Sequence, residues 1–447
     1  MKAKYVFTVL ILLSCIFVFY LSKKNKVKNE YAFMERSGPV SASSEWLNAK
    51  SAIEKLLGDL RKNPNDNKTK LKLAMAYIQE SRVSGNHGYY DAVALELLDD
   101  VLNENPDNYE ALCAQATIML SQHHFDEALE IGNKIIELNS YSAYGYGVLT
   151  DAYVELGKYN EAVKAVDKMV SIRPDIRSYS RISYLREIFG DHEGAIAAMK
   201  MAVEAGVPGS EQTEWARVYL GQLHEINGSI QEAEFFYLQS LHHRPHYAYA
   251  QAGMGRIEKY KKNYTEAIKH FTNAKHSLND YFFNSELADV YQAMLKSANA
   301  NNSLKEAISM LSVNAGDESE SNHGHYSDKE LAALYLKIYQ YDLALEHALI
   351  EYERRPDNID INQTLAWVHF RRGEYDQADK HIDKALITKS KNPTLLFQAG
   401  LIKSKAGKLN TGKKLLKESL NINSYITAEL QWEAHPFLDG EKKIASQ

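Results

Sequence analysis

Cysteine is nearly absent from this 447-residue chain, which has only Cys15 and Cys113. Cys15 sits inside an apolar N-terminal run, which leaves Cys113 without an intrachain partner, so neither a disulfide framework nor a cysteine-based zinc site can be built. The redox compartment stays open. Proline is scarce too, nine in all, which suits a mostly helical chain because proline interrupts the helical hydrogen-bond ladder. Enzyme signatures are missing: there is no phosphate-binding glycine loop, no HExxH, no Gly-x-Ser-x-Gly and no Cys-x-x-Cys. Positive charge is not in excess either. Residues 1–28 hold six lysines and no acid, which leaves 46 bases against 58 acids in the rest of the chain. Contact with a phosphate backbone asks for the opposite sign, so nucleic acid is not an expected partner.

What is present points to a folded chain: 45% of residues are apolar and 25% charged, within the globular range. Tyrosine is abundant at 29 copies, a residue with a stiff apolar body and a polar tip that suits helix packing and interfaces.

Tyr5 to Leu21 is a seventeen-residue run without a charge, preceded by Lys2 and Lys4 and followed by Lys23, Lys24, Lys26 and Lys28. That length is the short end of what spans a bilayer as a helix. An uncleaved anchor is the preferred reading, since no small-residue cleavage site closes the run. A lipoprotein signal, from Leu12-Leu13-Ser14-Cys15, and a cleaved secretory signal are the alternatives. The flanking lysines nearly balance, so they hardly set orientation; the short basic start favours export of the downstream chain. Residues 1–28 are therefore read as anchor or signal. Residues 29–45, with Gly38-Pro39 and Ser41, Ser43 and Ser44, are read as a polar stalk.

Beyond the stalk a period near 34 residues dominates. It is carried by one small residue per unit: Ala94, Ala128, Ala162, Ala195, Ala233, Ala267, Ala307, Ala344, Ala378 and Gly412. Most units have a second small residue twelve positions upstream (Ala116, Ser183, Gly221, Gly255, Ala332, Ala366, Gly400, with Thr150 bulkier), and four have proline twelve positions downstream (Pro106, Pro174, Pro245, Pro356). Paired small residues let two antiparallel helices approach closely. Phe125, Tyr159, Tyr264, Tyr341 and Tyr375 open the second helix, while Gly157, Gly190, Gly228, Gly373 and Gly407 occupy the turn, where a left-handed backbone suits glycine. Extra residues stretch the first unit around Arg82–His87 and the seventh around Lys296–Ser303, and a polar loop is expected at Asn314–His325.

This pattern resembles the tetratricopeptide repeat. The resemblance covers residues 67–426 as about ten units (67–108, 109–142, 143–175, 176–213, 214–247, 248–281, 282–324, 325–358, 359–392 and 393–426). It implies an all-α fold, a right-handed solenoid of helical hairpins. A leading helix at 46–66, with Trp46, Leu47, Ile53, Leu56, Leu57 and Leu60 at helical spacing, and a capping helix and tail at 427–447 would cover its ends. The block from Ser178 to Glu187, with Gly190-Asp191, Gly194-Ala195, Pro208 to Glu211 and Trp215, is similar to a widespread group of anchored or exported bacterial repeat proteins.

In that family the first helix of each unit lines a concave groove, and side chains at i, i+3/i+4 and i+7 share a face. The groove positions here are Tyr144, Asp151, Glu155, Arg177, Arg181, Tyr184, Glu187, Gln222, Tyr249 and Arg256, with Glu225 and Tyr260 beside them. Acids next to arginines and tyrosines could grip an extended peptide, or they could brace neighbouring helices. The lysine and asparagines that capture chaperone tails are replaced by Cys113, Thr117 and Gly147. The expected function is a non-catalytic scaffold or adaptor, without a cofactor, that is tethered to the bacterial envelope with its repeats outside the cytoplasm and binds a protein or peptide. The alternative is a metal-handling accessory protein using His242-His243 with His246, or Asp317, Glu318 and Glu320 with His323 and His325.

Overall fold

The computed structural model describes residues 31–36, 38–314, 324–425 and 428–438. The candidate anchor and residues 315–323 of the polar loop lie outside the described residues. Among the described residues every long element is α-helical, there is no strand, and no helix is long and apolar enough to cross a membrane.

After a short 3-10 turn at Gly38–Ala42 comes α1 (Ser44–Lys62). Ten helix pairs succeed it at the period of the sequence. The first five are α2 (Asn67–Ser84) and α3 (His87–Glu104), α4 (Tyr109–Ser121) and α5 (Phe125–Leu138), α6 (Ala143–Glu155) and α7 (Tyr159–Ile172), α8 (Ile176–Ile188) and α9 (His192–Glu204), α10 (Glu211–Ile226) and α11 (Ile230–His243). The other five are α12 (Ala248–Tyr260) and α13 (Tyr264–Ser277), α14 (Tyr281–Ala293) and α15 (Ser297–Asn314), α16 (Asp328–Lys337) and α17 (Tyr341–Arg354), α18 (Ile359–Arg371) and α19 (Tyr375–Ala385), α20 (Pro393–Lys405) and α21 (Leu409–Ile422). A last helix, α22, spans Ala428–Leu438. Most of the residues added at 82–87 and 296–303 are helical, and α2 and α15 are 18 residues each. Second helices end two residues before Pro106, Pro174, Pro245 and Pro356, because proline pushes its predecessor out of the helical region.

The chain divides into two compact units after Ile118. In the first, α1 buries Trp46, Ile53, Leu57 and Leu60, while Leu47 is turned to solvent, 57% exposed. The segment 31–36, read from sequence as part of a stalk, packs on this unit. Its backbone is tied down by tyrosines: Tyr77 Oη donates to Tyr31 O at 2.6 Å, and Tyr90 Oη both accepts from Met34 N at 3.2 Å and donates to Met34 O at 3.1 Å. Arg36 forms a buried bidentate pair with Glu80 at 2.9 and 2.7 Å, and Phe33 stacks on Trp46 at 4.9 Å. An extended strip with aromatics and a buried arginine gains more from burial than from solvation as a tether.

In the second unit each first helix packs on its own second helix, on the second helix before it and, in most cases, on the next first helix. The small residues make this possible. The anchor alanines from Ala128 to Ala378 are fully buried. A Cβ added to Gly221, Gly255 or Gly400 would stand 2.6–2.8 Å from Tyr237, Phe271 or Leu416 of the facing helix. The serine at this position, Ser183, satisfies its hydroxyl by donating to Ala195 O at 2.7 Å. Three histidines brace their hairpins at a constant separation of 19 residues. His270 bonds to Gln251 at 2.7 Å, His347 to Asp328 at 2.7 Å and His381 to Asn362 at 3.0 Å.

A second set of contacts joins segments about 200 residues apart. The hairpin tip before α5 meets the loop before α16: Tyr326 N donates to Gln122 O at 3.1 Å, and His123 Nδ1 to Tyr326 O at 2.8 Å. The tip before α7 meets the start of α18, where Ile359 N donates to Tyr159 Oη at 2.8 Å and Asn358 Nδ2 to Glu155 O at 2.9 Å. His192 Nε2 lies 3.2 Å from Lys391 O, and Asn423 Nδ2 donates to Glu225 O at 3.0 Å. The first three join a hairpin to the loop preceding the hairpin six further on, and the fourth joins the fifth hairpin to the segment that follows the tenth. Within this unit the array coils back on itself every six hairpins, and successive turns touch along a seam.

Candidate functional site

The inner layer of the second unit is made by its first helices. On α6, Tyr144, Asp151 and Glu155 share a face. On α8, whose start is fixed by a capping box between Asp175 and Ser178, so do Arg177, Arg181 and Tyr184. Arg181 reaches across to Asp151 with Nε 2.8 Å from Oδ1 and Nη2 bonding Oδ2, and its Nη1 donates to Arg177 O at 3.1 Å. Gly147 on α6 makes room for this arginine, since a Cβ there would lie 3.4 Å from its Cζ. Arg177 lies over the Tyr144 ring at 5.9 Å.

Glu155 is held from across the seam. It pairs with Arg355, itself gripped by Glu351 at 2.5 Å and seated 4.7 Å over the Phe125 ring. Burial raises the Glu155 carboxyl above its ordinary range against the pull of Lys329 and Arg355, with Asp360 and Asp151 adding to the rise. Burial also raises Glu187, which accepts from Tyr219 Oη at 2.7 Å and feels Asp360. The Tyr184 hydroxyl is driven well above its usual value by burial, then by Asp360 and Glu155.

These groups surround a cavity of about 250 Å³ lined by Leu120, His123, Phe125, Thr150, Asp151, Val154, Glu155, Arg181, Tyr184 and Leu185. Lys329, on α16, and Asp360, on α18, act electrostatically on these groups. Neither side chain has a hydrogen-bond or ion-pair partner among the described residues. Burial works against the Lys329 charge, but Asp360, Glu330 and Glu155 outweigh it and hold the ammonium above its ordinary pKa.

The structure thus brings Asp151, Glu155, Arg181 and Tyr184 to one cavity, with Glu187 linked through Asp360. The remaining groove positions lie elsewhere. Gln222 is half-buried on α10. Tyr249 packs among Tyr247 and Phe283, with its hydroxyl 3.4 Å from Asp280. Arg256 is 8% exposed, with Nε 2.8 and 3.1 Å from the Glu225 carboxylate and Nη2 3.3 Å from Tyr237 Oη. Tyr237 and Tyr260 donate to the same carboxylate at 2.5 and 2.9 Å. This cluster braces helices. Of the histidines considered for metal binding, His242 and His243 form an edge-on pair at 5.4 Å, and His325 lies 4.5 Å from His123. Among the described residues no three His, Cys, Asp or Glu side chains gather as a metal site requires. Cys113 is raised to about 11, first by burial, which keeps it a thiol at neutral pH.

Residues 143–176, which hold the hairpin α6–α7, match the model described as Tetratricopeptide repeat. The same hairpin recurs through the ten pairs. That hairpin is a tetratricopeptide repeat.

Among solved structures, the repeats are similar to a thermophilic tetratricopeptide-repeat protein of Thermus thermophilus. The two are 21% identical over 46% of this chain and 98% of that one, with a TM-score of 0.36. A human IFIT1 dimer with PPP-AAAA is 14% identical over 90% and 94% of the two chains, TM-score 0.46. Pseudomonas aeruginosa pilF is 12% identical over 45% and 91%, TM-score 0.37. No curated protein sequence matches. These likenesses are of helical repeats and carry nothing about this chain's partner.

Sequence reasoning missed Lys329, Arg355, Asn358 and Asp360. They come from hairpins five and six units further along, and nothing in a local pattern marks residues that meet only because the coil closes after six repeats. The one signal available was the position of Arg355 and Asn358 in the loop between two repeats.

Proposed function

We propose that the protein is a non-catalytic scaffold that holds a protein or peptide against the inner layer of its second unit, and that its N-terminal apolar segment keeps it at the cell envelope. The repeat fold supports the general reading, since stacked helical hairpins expose long continuous surfaces of the kind partner proteins dock on. One observation carries the specific site: Asp151, Glu155, Arg181 and Tyr184, from two successive first helices, line one cavity and feel the opposite charges of Lys329 and Asp360. Neither Lys329 nor Asp360 has a direct ion pair among the described residues, so a peptide bearing both signs can contact both. The tether rests on the seventeen-residue run from Tyr5 to Leu21.

The test is crosslinking in native cells followed by mass spectrometry, comparing the parent with a Lys329→Ala, Asp360→Asn double variant. Neither residue braces the fold, so the melting temperature should hold within a few degrees while recovery of the partner drops at least tenfold. Undiminished recovery would remove the inner-layer assignment.

A further inference from the structure

A second cleft opens on the seam, away from the cavity above. It measures about 550 Å³ and is lined by His192, Lys391, Lys414, Lys417, Glu418, Asn421 and Ile422. Its two walls are more than 220 residues apart in sequence: His192 is the first residue of α9, and Lys414, Lys417, Glu418 and Asn421 lie along one face of α21 at i, i+3, i+4 and i+7. We propose that this cleft binds a small phosphorylated ligand carrying at least two negative charges, and that the ligand clasps two turns of the coil together.

Charge is the first argument. Three lysines line the cleft against one acid, Glu418, which is taken by Lys391. Lys414 and Lys417 are exposed and have no acid within ion-pair distance among the described residues, so the cleft keeps about two uncompensated positive charges in a protein that is acidic overall.

Unsatisfied polarity is the second argument. His192 directs Nε2 at Lys391 O, 3.2 Å away, while its Nδ1 is buried with no hydrogen-bond partner. Buried polar atoms are normally satisfied; with Nε2 donating to Lys391 O, Nδ1 is an acceptor that a P–OH group of a bound phosphoryl ligand would satisfy.

Size and donor type set the ligand class. The cleft's volume leaves room for more than one phosphoryl group, and ammonium groups spread over a helix face suit multivalent phosphoryl oxygens better than the planar fork of a single carboxylate. A bound anion would join His192 and Lys391 to α21. Binding should therefore stabilise the seam itself, by the ordinary linkage between ligand and folded state.

Isothermal titration with inorganic pyrophosphate, at ionic strength held constant with sodium chloride, tests this on the full chain. Saturable binding below millimolar is expected, with affinity falling at least tenfold in a Lys414→Ala, Lys417→Ala variant. A Lys164→Ala, Lys380→Ala variant of equal charge change should bind as the parent does. Hydrogen exchange at residues 189–192 and 389–391 should slow when pyrophosphate is added. The site assignment fails if no saturable binding occurs by about 1 mM, or if both variants lose it equally. The phosphoryl assignment fails if citrate binds as tightly, and the soluble-ligand assignment fails if only vesicles of anionic lipid bind. Partner recovery through Lys329 and Asp360 is unaffected by any of these results, so the two readings fail separately.

Discussion

The hydroxyl of Tyr159 accepts a hydrogen bond from the backbone amide of Ile359, 2.8 Å away in space and 200 residues away in sequence. Tyr159 opens the second helix of one hairpin, and Ile359 is the first residue of a helix six hairpins later. A wedge residue of the repeat thus also satisfies one of the helix-start amides that would otherwise lack a partner.

Tyr159→Phe keeps the ring and removes only the acceptor. The buried amide of Ile359 then goes unpaired, at a cost of about 1–2 kcal/mol. Hydrogen exchange should speed up at Ile359, while amides within α7 stay protected. Unchanged exchange at Ile359 would mean the two turns do not touch there.

The turn glycines offer a cleaner measure of the seam. Gly157 and Gly373 both have positive φ, 74° and 79°. A Cβ on Gly373 would meet nothing within 4 Å, whereas one on Gly157 would lie 2.5 Å from the backbone carbonyl of Asp357. Gly373→Ala should cost about 1 kcal/mol, the left-handed strain alone. Gly157→Ala should cost at least about 2 kcal/mol more, because a backbone clash cannot be relieved by a rotamer change. Equal losses in urea denaturation would count against the seam.

Leu295 occupies the same turn position in the seventh hairpin, with φ 59° and 90% exposure. It carries the strain and gains nothing from packing. Leu295→Gly should raise stability by up to about 1 kcal/mol, as release of left-handed strain exceeds the added freedom of the unfolded chain. A lowered melting temperature would show that the leucine makes contacts of value.

Arg256 and Glu225 form a buried pair, and one partner cannot be removed without stranding the other. Arg256→Ala should destabilise by about 3 kcal/mol or more and should loosen the hairpin pairs α10–α11 and α12–α13 first in hydrogen exchange. A loss under about 1 kcal/mol would show that Tyr237 and Tyr260 suffice to hold the carboxylate.

Acid sensitivity should trace in part to His123. Burial, with Lys329 next, pushes it down from an ordinary 6.5 to about 4. Between those values the unfolded chain binds the proton and the fold does not, so its contribution is complete above pH 6.5 and is lost as pH falls toward 4, on the order of 2–3 kcal/mol in total. Glu155 and Glu187, raised by burial, act in the opposite sense and are common to parent and variant. His123→Asn tolerates the left-handed backbone and should flatten the fall in melting temperature between about pH 7 and 4.5; an unaltered slope would acquit the histidine.

Much of this architecture was legible along the chain. The alanines from Ala128 to Ala378, with Gly221, Gly255 and Gly400, marked the crossings of a hairpin, because two helices can touch only where side chains are small. Proline marked where second helices stop. Both are local effects within one repeat unit, so a linear reading finds them. Part of the cavity was legible on the same ground, since Asp151, Glu155, Arg181 and Tyr184 lie on faces set by helical periodicity.

The tertiary structure decided the rest. Gly157, Gly190 and Gly228 look like Gly373 and Gly407 in sequence, and all five adopt positive φ. Only the first three press against backbone from the next turn. Arg355, which no local pattern marks, is the counter-ion of Glu155, and Lys329 and Asp360 act on the cavity's groups from hairpins further along. Each of these depends on a small rotation per hairpin, summed over six hairpins until distant segments meet. No single repeat encodes that sum, because it arises from the packing angles between repeats.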